Sequence, residues 1–153
     1  MADWPRICDE LSQQFSPWLP WKGLSGHLFM QHPGVYLFAE LRDHAVLPSV
    51  ADPQILYIGE TTAQTLLARF VQFEEAARTG CTNRHLGGEK YSRRSKGELV
   101  APKCRLLPDD FFIAVFPVKL DEPESSAFIR YVERMALWCF VKANGRYPPC
   151  NSI

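Results

Sequence analysis

The chain has 153 residues, 46% of them hydrophobic and 22% charged, a length and balance that suit one folded domain and argue against disorder. Charges cancel, 17 basic against 17 acidic, so net charge alone points to no partner. No stretch approaches the roughly 20 apolar residues of a membrane helix. The N-terminus has early acids and no apolar leader core, so a cytoplasmic domain with no membrane contact is expected.

Residues 3–15 predict an amphipathic helix: Trp4, Ile7, Leu11 and Phe15 recur at helical spacing, and Pro5 suits a first turn. The stretch 16–26, rich in turn formers and tryptophan, reads as a packed connector. GVYLFA at 34–39 carries a strand signal, and ILYIG at 55–59 carries a second, ended by Gly59. Their adjacency predicts an antiparallel hairpin whose connection, 40–54, should protrude. Thr61 or Thr62 can cap a helix running to about Arg78, with Leu66, Leu67, Phe70, Phe73 and Ala77 on its apolar face and Gly80 past its end. Residues 81–108 read as an extended loop with Gly87-Gly88 and few large apolar residues. FFIAVFPV at 111–118 is apolar on both faces, as a central strand is. A long helix then runs from after Pro123 to about Ala143 and stops at Gly145. The expected fold is α/β, a small central three-stranded, mainly antiparallel sheet flanked by helices. It forms a single domain over 1–153, with an N-terminal helical extension (1–31) and a core (32–151) carrying insertions at 40–54 and 81–108.

Charge is unevenly spread. From Arg78 to Arg105 there are eight basic residues against two acidic ones. Such a segment can attract a polyanion or be a solvated loop. Within it, Arg84, Lys90, Arg93, Arg94 and Lys96 are the candidates for nucleic-acid contact. The five cysteines (Cys8, Cys81, Cys104, Cys139 and Cys150) are odd in number and contain no C-x-x-C pair. Reduced thiols are expected, rather than a disulfide framework or a zinc site.

Two charged residues break the apolar patterning. At 100° per residue, Ile129, Glu133, Ala136 and Phe140 fall within about 60° of arc, so a carboxylate sits in the stripe that should face the core. It is either an internal ion pair or a frayed edge of the stripe, or else a metal ligand or catalytic acid, and periodicity leaves both kinds of role open. Arg69 lies at the margin of the Leu66–Phe70–Phe73 face, where an arginine stem can simply cover apolar surface. Tyr36 and Tyr57 fall in the two hairpin strands, His85 in the basic loop and Asn151 after Pro148-Pro149. Singly, each fits an ordinary role as sheet filler, exposed histidine or turn residue.

In order, these residues resemble a signature. GVY at 34–36 and YIG at 57–59 are similar to the two motifs of the GIY-YIG nuclease superfamily, which includes some homing endonucleases, some restriction enzymes and the nuclease domain of bacterial excision repair. Arg69 stands ten residues past Gly59, where that family has a helix arginine. His85 is a counterpart of a histidine that often follows, Glu133 in RYVERMALW resembles the family's glutamate, and Asn151 in PPCN its closing asparagine. The likeness covers 32–151. Four features depart from it: 20 residues separate Tyr36 from Tyr57 where the family has a tight hairpin, a basic residue near the first tyrosine is not evident, residues 81–108 look like an extended insertion before the third strand, and no separate DNA-binding domain is attached.

The resemblance implies a hydrolase, a metal-dependent endonuclease cutting phosphodiester bonds, in DNA ahead of RNA. Glu133 would be the metal ligand for Mg²⁺ or Mn²⁺, Arg69 would contact the scissile phosphate, and Tyr36 would act as general base on water. Tyr57 would hydrogen-bond water or phosphate, His85 would help tune Tyr36, and Asn151 would orient the site. Cutting both strands with one site per chain calls for a homodimer or sequential nicking, and target choice for an accessory targeting protein. A noncatalytic nucleic-acid-binding module on the same fold is the alternative, although the intact Tyr36, Tyr57, Arg69 and Glu133 argue against it. A third class is a protein-interaction domain using Trp4, Trp18 and Trp21 as an exposed patch, although a cover over one side of the sheet is the favoured reading of these tryptophans.

Overall fold

The computed structural model describes residues 3–22, 24–43, 46–79, 85–96 and 109–151. Along them run α1 (Trp4–Ser12), β1 (Leu19–Pro20), two short 3-10 turns, β2 (Gly34–Glu40), β3 (Ile55–Thr61), α2 (Leu66–Thr79), α3 (Leu86–Lys96), β4 (Phe111–Pro117) and α4 (Glu124–Asn144). Among the described residues no helix is long and apolar enough to cross a membrane.

The helix ends follow local chemistry. Asp3 caps α1 by accepting the Arg6 N–H, and Pro5 occupies its first turn. Thr65 Oγ1 accepts the Ala68 N–H at 3.1 Å, so α2 opens at Leu66, a turn later than a Thr61 or Thr62 cap would place it. Gly145 closes α4 in the left-handed region (φ 69°), its N–H bonded to Val141 O at 2.8 Å.

The sheet is antiparallel throughout, in the order β1-β4-β2-β3. It has four strands where three were expected. The extra one, β1, is two residues pairing Leu19 with Ile113 and Pro20 with Phe112. Two residues, one of them a proline without an N–H, show no strand periodicity. Strand alternation builds two cores. Val35, Leu37 and Ala39 of β2, with Phe112 and Ala114 of β4, pack beneath α1 and α4 against Ile129, Val132, Ala136 and Phe140. Tyr36 and Phe38, with Phe111, Ile113 and Val115, face the other way, against Leu66, Phe70 and Phe73 of α2. Every β2 side chain from Val35 to Ala39 is fully buried, which explains its unbroken apolar run. Phe38 contacts Trp21, Phe70, Phe73 and Phe111 with ring centroids 4.3–6.0 Å apart. Truncating such a ring to alanine costs about 3–5 kcal/mol.

Four expectations change. Part of the expected loop at 81–108 is helix α3. Its two glycines suggested a loop, but they serve close packing: a Cβ on Gly88 would lie 2.7 Å from Phe73 O and 2.8 Å from Ala76 Cβ of α2. The connection 40–54 does not simply protrude. Leu47 near its tip is exposed, but Val50 is fully buried, with its N–H bonded to Ser12 Oγ, and Ala51 O accepts from Asn144. Cys8 on α1 and Cys139 on α4 form a disulfide, correcting the expectation of reduced thiols at those positions. They lie 131 residues apart, so no local spacing announces the pair; Cys81 and Cys104 lie outside the described residues. Finally, the three N-terminal tryptophans cover both sides of the sheet rather than one: Trp18 and Trp4 pack in the core under α1 and α4, and Trp21 against α2.

Candidate active site

β3 is the edge strand beside β2, and the expected site residues gather around it. Tyr36 sits opposite Gly59 in the β2–β3 register, on the α2 side of the sheet. A Cβ at Gly59 would lie 2.7 Å from the Tyr36 hydroxyl oxygen and collide with the Tyr57 ring. A Cβ at Gly87 would lie 2.6 Å from the other edge of that ring. Two absent side chains therefore make the slot that holds Tyr57. The two tyrosine rings stand 5.9 Å apart, and Tyr57 and His85 5.2 Å apart.

His85 is the N-cap of α3. Its Nδ1 accepts the Gly88 N–H at 3.2 Å, three residues on, and it is 1% exposed rather than lying in an open loop. Burial first, then the charge of Arg69, push the imidazole pKa down to about 3, so it is neutral at physiological pH. With Nδ1 accepting, the ring proton is on Nε2, and Nε2–H donates to Tyr36 Oη at 2.9 Å. Arg69 and Tyr57 are the other polar groups that act on the Tyr36 hydroxyl. Arginine and the Nε2–H can only donate, so the Tyr36 proton has the Tyr57 oxygen to turn toward.

Both phenols have raised pKa values. Burial dominates for each; Tyr57 adds to the rise at Tyr36, and Arg69 opposes it at both. Glu133 and Glu60 add smaller upward pushes at Tyr57. Arg69 is held from below: its Nη1 donates to Gln72 Oε1 at 2.9 Å, and Gln72 Nε2 donates to Gln64 Oε1 at 2.8 Å. Gln72 lies one turn along α2 from Arg69, a spacing the sequence contained but whose use depends on the guanidinium turning inward.

Glu133 enters from α4, on the opposite side of the sheet edge. Its side chain is 16% exposed, with Arg134 Nε 3.5 Å from Oε2. Burial raises its carboxyl pKa, the Arg134 charge lowers it, and Glu60 raises it further. The break in the apolar stripe is therefore a half-buried carboxylate at the edge of the core, beside an exposed arginine. Glu133, Arg134, Leu137, Tyr147, Tyr57, Leu86, Gly87 and Asn151 line a cleft of about 290 Å³. Tyr57 forms part of its wall. Tyr36 is fully buried behind it.

Asn151 stands in for a missing strand. Its Oδ1 accepts the Ile58 N–H at 2.9 Å and its Nδ2 donates to Ile58 O at 2.8 Å, while the Cys150 N–H bonds Leu56 O. This pairing covers the free edge of β3 on either side of Tyr57 and fixes that residue's backbone. Lys90 Nζ reaches Asn151 O at 3.2 Å, so this basic residue sits at the site's rim. Arg93, Arg94 and Lys96 belong to α3, but their side chains, like Arg84, lie outside the described residues.

Sequence reading missed Glu60. In register it pairs with Val35, and Val35 and Ile58 both belong to the core under α4, so Glu60 points toward Glu133's side of the sheet. Its Oε2 is buried with no hydrogen-bond partner among the described residues. The signal was its parity with Ile58, two residues earlier in an apolar strand. Two carboxylates, one with an orphaned buried oxygen, suit a hard divalent cation that keeps water ligands. Among the described residues no cluster of three or more His, Cys, Asp or Glu side chains offers a zinc-type site. Comparison with known protein families, curated proteins and solved structures finds no match for this chain.

Proposed function

We propose that the chain is a metal-dependent endonuclease that hydrolyses phosphodiester bonds, in DNA ahead of RNA, as its resemblance to the GIY-YIG nucleases implies. One observation carries the reading. Tyr36, Tyr57, Arg69, His85, Glu133 and Asn151 come from six separate segments yet converge on one edge of the sheet, with Tyr57, Glu133 and Asn151 sharing a cleft. A fold needs no such convergence of phenols, a cation and a carboxylate for stability.

The residues divide the work by position. Arg69, the cation beside both phenols, is the group to neutralise a phosphate at the Tyr57 wall. Tyr57 is placed to take the proton of an attacking water while passing its own to a Tyr36 phenolate, so the phenolate ends protonated and the water becomes hydroxide. His85 Nε2–H and Arg69 both stabilise negative charge on the Tyr36 oxygen. Glu133, with Glu60 nearby, would hold Mg²⁺ or Mn²⁺, which when bound supplies charge stabilisation to the phosphate and the leaving oxygen. Asn151 positions Tyr57 through the backbone of Ile58.

The full burial of Tyr36 favours a second reading, a noncatalytic nucleic-acid-binding module on the same fold. A cleavage assay separates the two. Wild type and Glu133→Gln are incubated with supercoiled, branched and single-stranded DNA and with RNA, in Mg²⁺, Mn²⁺ or EDTA. Metal-dependent cutting that the variant loses supports the nuclease. Salt-sensitive binding without cutting of any substrate supports the module.

A further inference from the structure

We propose that the solvent face of α4 binds a single strand of nucleic acid, with bases stacking on Tyr131 and Trp138 and phosphates drawn to Arg130 and Arg134. The proposal rests on the nuclease reading only in that the strand leads to the cleft.

The inward stripe of α4 is already complete in Ile129, Val132, Ala136, Cys139 and Phe140. Tyr131 and Trp138 lie on the opposite side, 62% and 41% exposed. At 100° per residue, 131, 134 and 138 fall within about 60° of arc. Tyr131 and Trp138 are seven residues apart, about 10 Å along the axis, with Arg134 between them. That spacing leaves room for one base on each ring and a phosphate at the guanidinium. The same face carries Arg130 and Lys142 against Glu124 in its first turn, so with Arg134 it keeps an excess of two positive charges on a chain whose net charge is zero. Charge complementarity therefore selects a polyanion, and the rings select one whose base faces are free. A duplex hides those faces within its stack and would use only the arginines. The strip joins the cleft directly: Arg134 lines the cleft and lies 3.5 Å from Glu133, and Tyr147, exposed at the rim, adds a third ring.

The test uses the full chain in EDTA, with fluorescently labelled oligo-dT, oligo-rU and duplex DNA, and the variants Tyr131→Ala and Trp138→Ala. Each variant should bind the single strands about tenfold more weakly, while duplex binding and thermal stability stay unchanged. Oligonucleotide should also quench tryptophan emission in the wild type and lose that effect in Trp138→Ala. Ring-dependent binding to either oligonucleotide supports the proposal and identifies the sugar preferred. Unchanged single-strand affinity in both variants, or an equal loss on duplex, overturns it. So does a wild-type dimer that Trp138→Ala converts to monomer, which would assign the face to a second copy. Ring-dependent binding by a wild type that cuts nothing leaves this proposal standing and ends the nuclease reading. Metal-dependent cutting of single strands that both ring variants retain at full affinity does the reverse.

Discussion

His85 is the donor, not the acceptor, in its 2.9 Å contact with the Tyr36 hydroxyl, because the same ring accepts the Gly88 N–H on its other nitrogen. One neutral imidazole thus caps a helix and contacts the Tyr36 phenol.

A stability profile checks this. The imidazole pKa is about 3 when folded against about 6.5 for an unperturbed histidine, so the unfolded state binds the extra proton. Its contribution is complete above about pH 6.5 and is lost as pH falls toward 3, with a slope of up to about 1.4 kcal/mol per pH unit. Thermal unfolding should show the wild type losing stability between pH 6.5 and 5, and His85→Gln losing much less over that range. Parallel curves would mean that the ring is charged in the fold.

Raised phenol pKa values predict an alkaline rate profile. If a Tyr36 phenolate accepts the proton, cleavage in saturating Mg²⁺ should rise about tenfold per pH unit from neutrality upward. Tyr36→Phe should be slower by at least about a hundredfold and flat over the same range. A flat wild-type profile would remove the tyrosines from proton transfer.

Glu133→Gln should abolish cleavage while leaving oligonucleotide binding in EDTA within about twofold of wild type. Glu60→Gln should behave differently. It removes a partly buried carboxylate whose Oε2 has no hydrogen-bond partner among the described residues, so metal-free thermal stability should rise, while the Mg²⁺ concentration for half-maximal cleavage also rises. Unchanged stability and metal dependence together would place Glu60 outside the site.

Asn151→Ala deletes both side-chain bonds to Ile58 and should cost about 1–3 kcal/mol in denaturant unfolding. The loss in cleavage should exceed what stability accounts for, because Tyr57 is held by that pairing. Full activity at a temperature where the variant stays folded would make Asn151 an edge cover alone.

The disulfide is directly testable. Intact-mass measurement under non-reducing conditions should find Cys8 and Cys139 joined, and Cys8→Ser should lower the unfolding midpoint under the same conditions. Closing a loop of 131 residues is worth about 4–5 kcal/mol in the chain-entropy account.

Residues that violate a local pattern were legible before the fold was known. Glu133 broke a helical apolar stripe and Arg69 the margin of another, and both lie by the site. Glu60 broke a strand's parity in the same way but was hidden beside the YIG motif. Residues whose role depends on partners distant in sequence were not legible. Gly87 and Gly88 suggest a loop until the Tyr57 ring and the α2 backbone are seen to occupy the space a Cβ would need. His85 looked exposed because nothing local reports that Phe73 and Tyr36 enclose it. Of the tryptophans, the three N-terminal ones drew attention, whereas Trp138 is the one left on an outward helix face.

The aromatic pile beneath Tyr36 joins two properties usually discussed apart. Its ring stands 4.8 Å from Phe38 and 5.1 Å from Phe70, and Phe38 in turn touches Phe73 and Phe111. A half-turn of the Tyr36 ring therefore requires several core neighbours to make way at once, a collective breathing motion rather than a side-chain hop. Because Oη lies on the axis of that turn, the turn leaves it in place, and the packing that resists unfolding is what holds the axis itself.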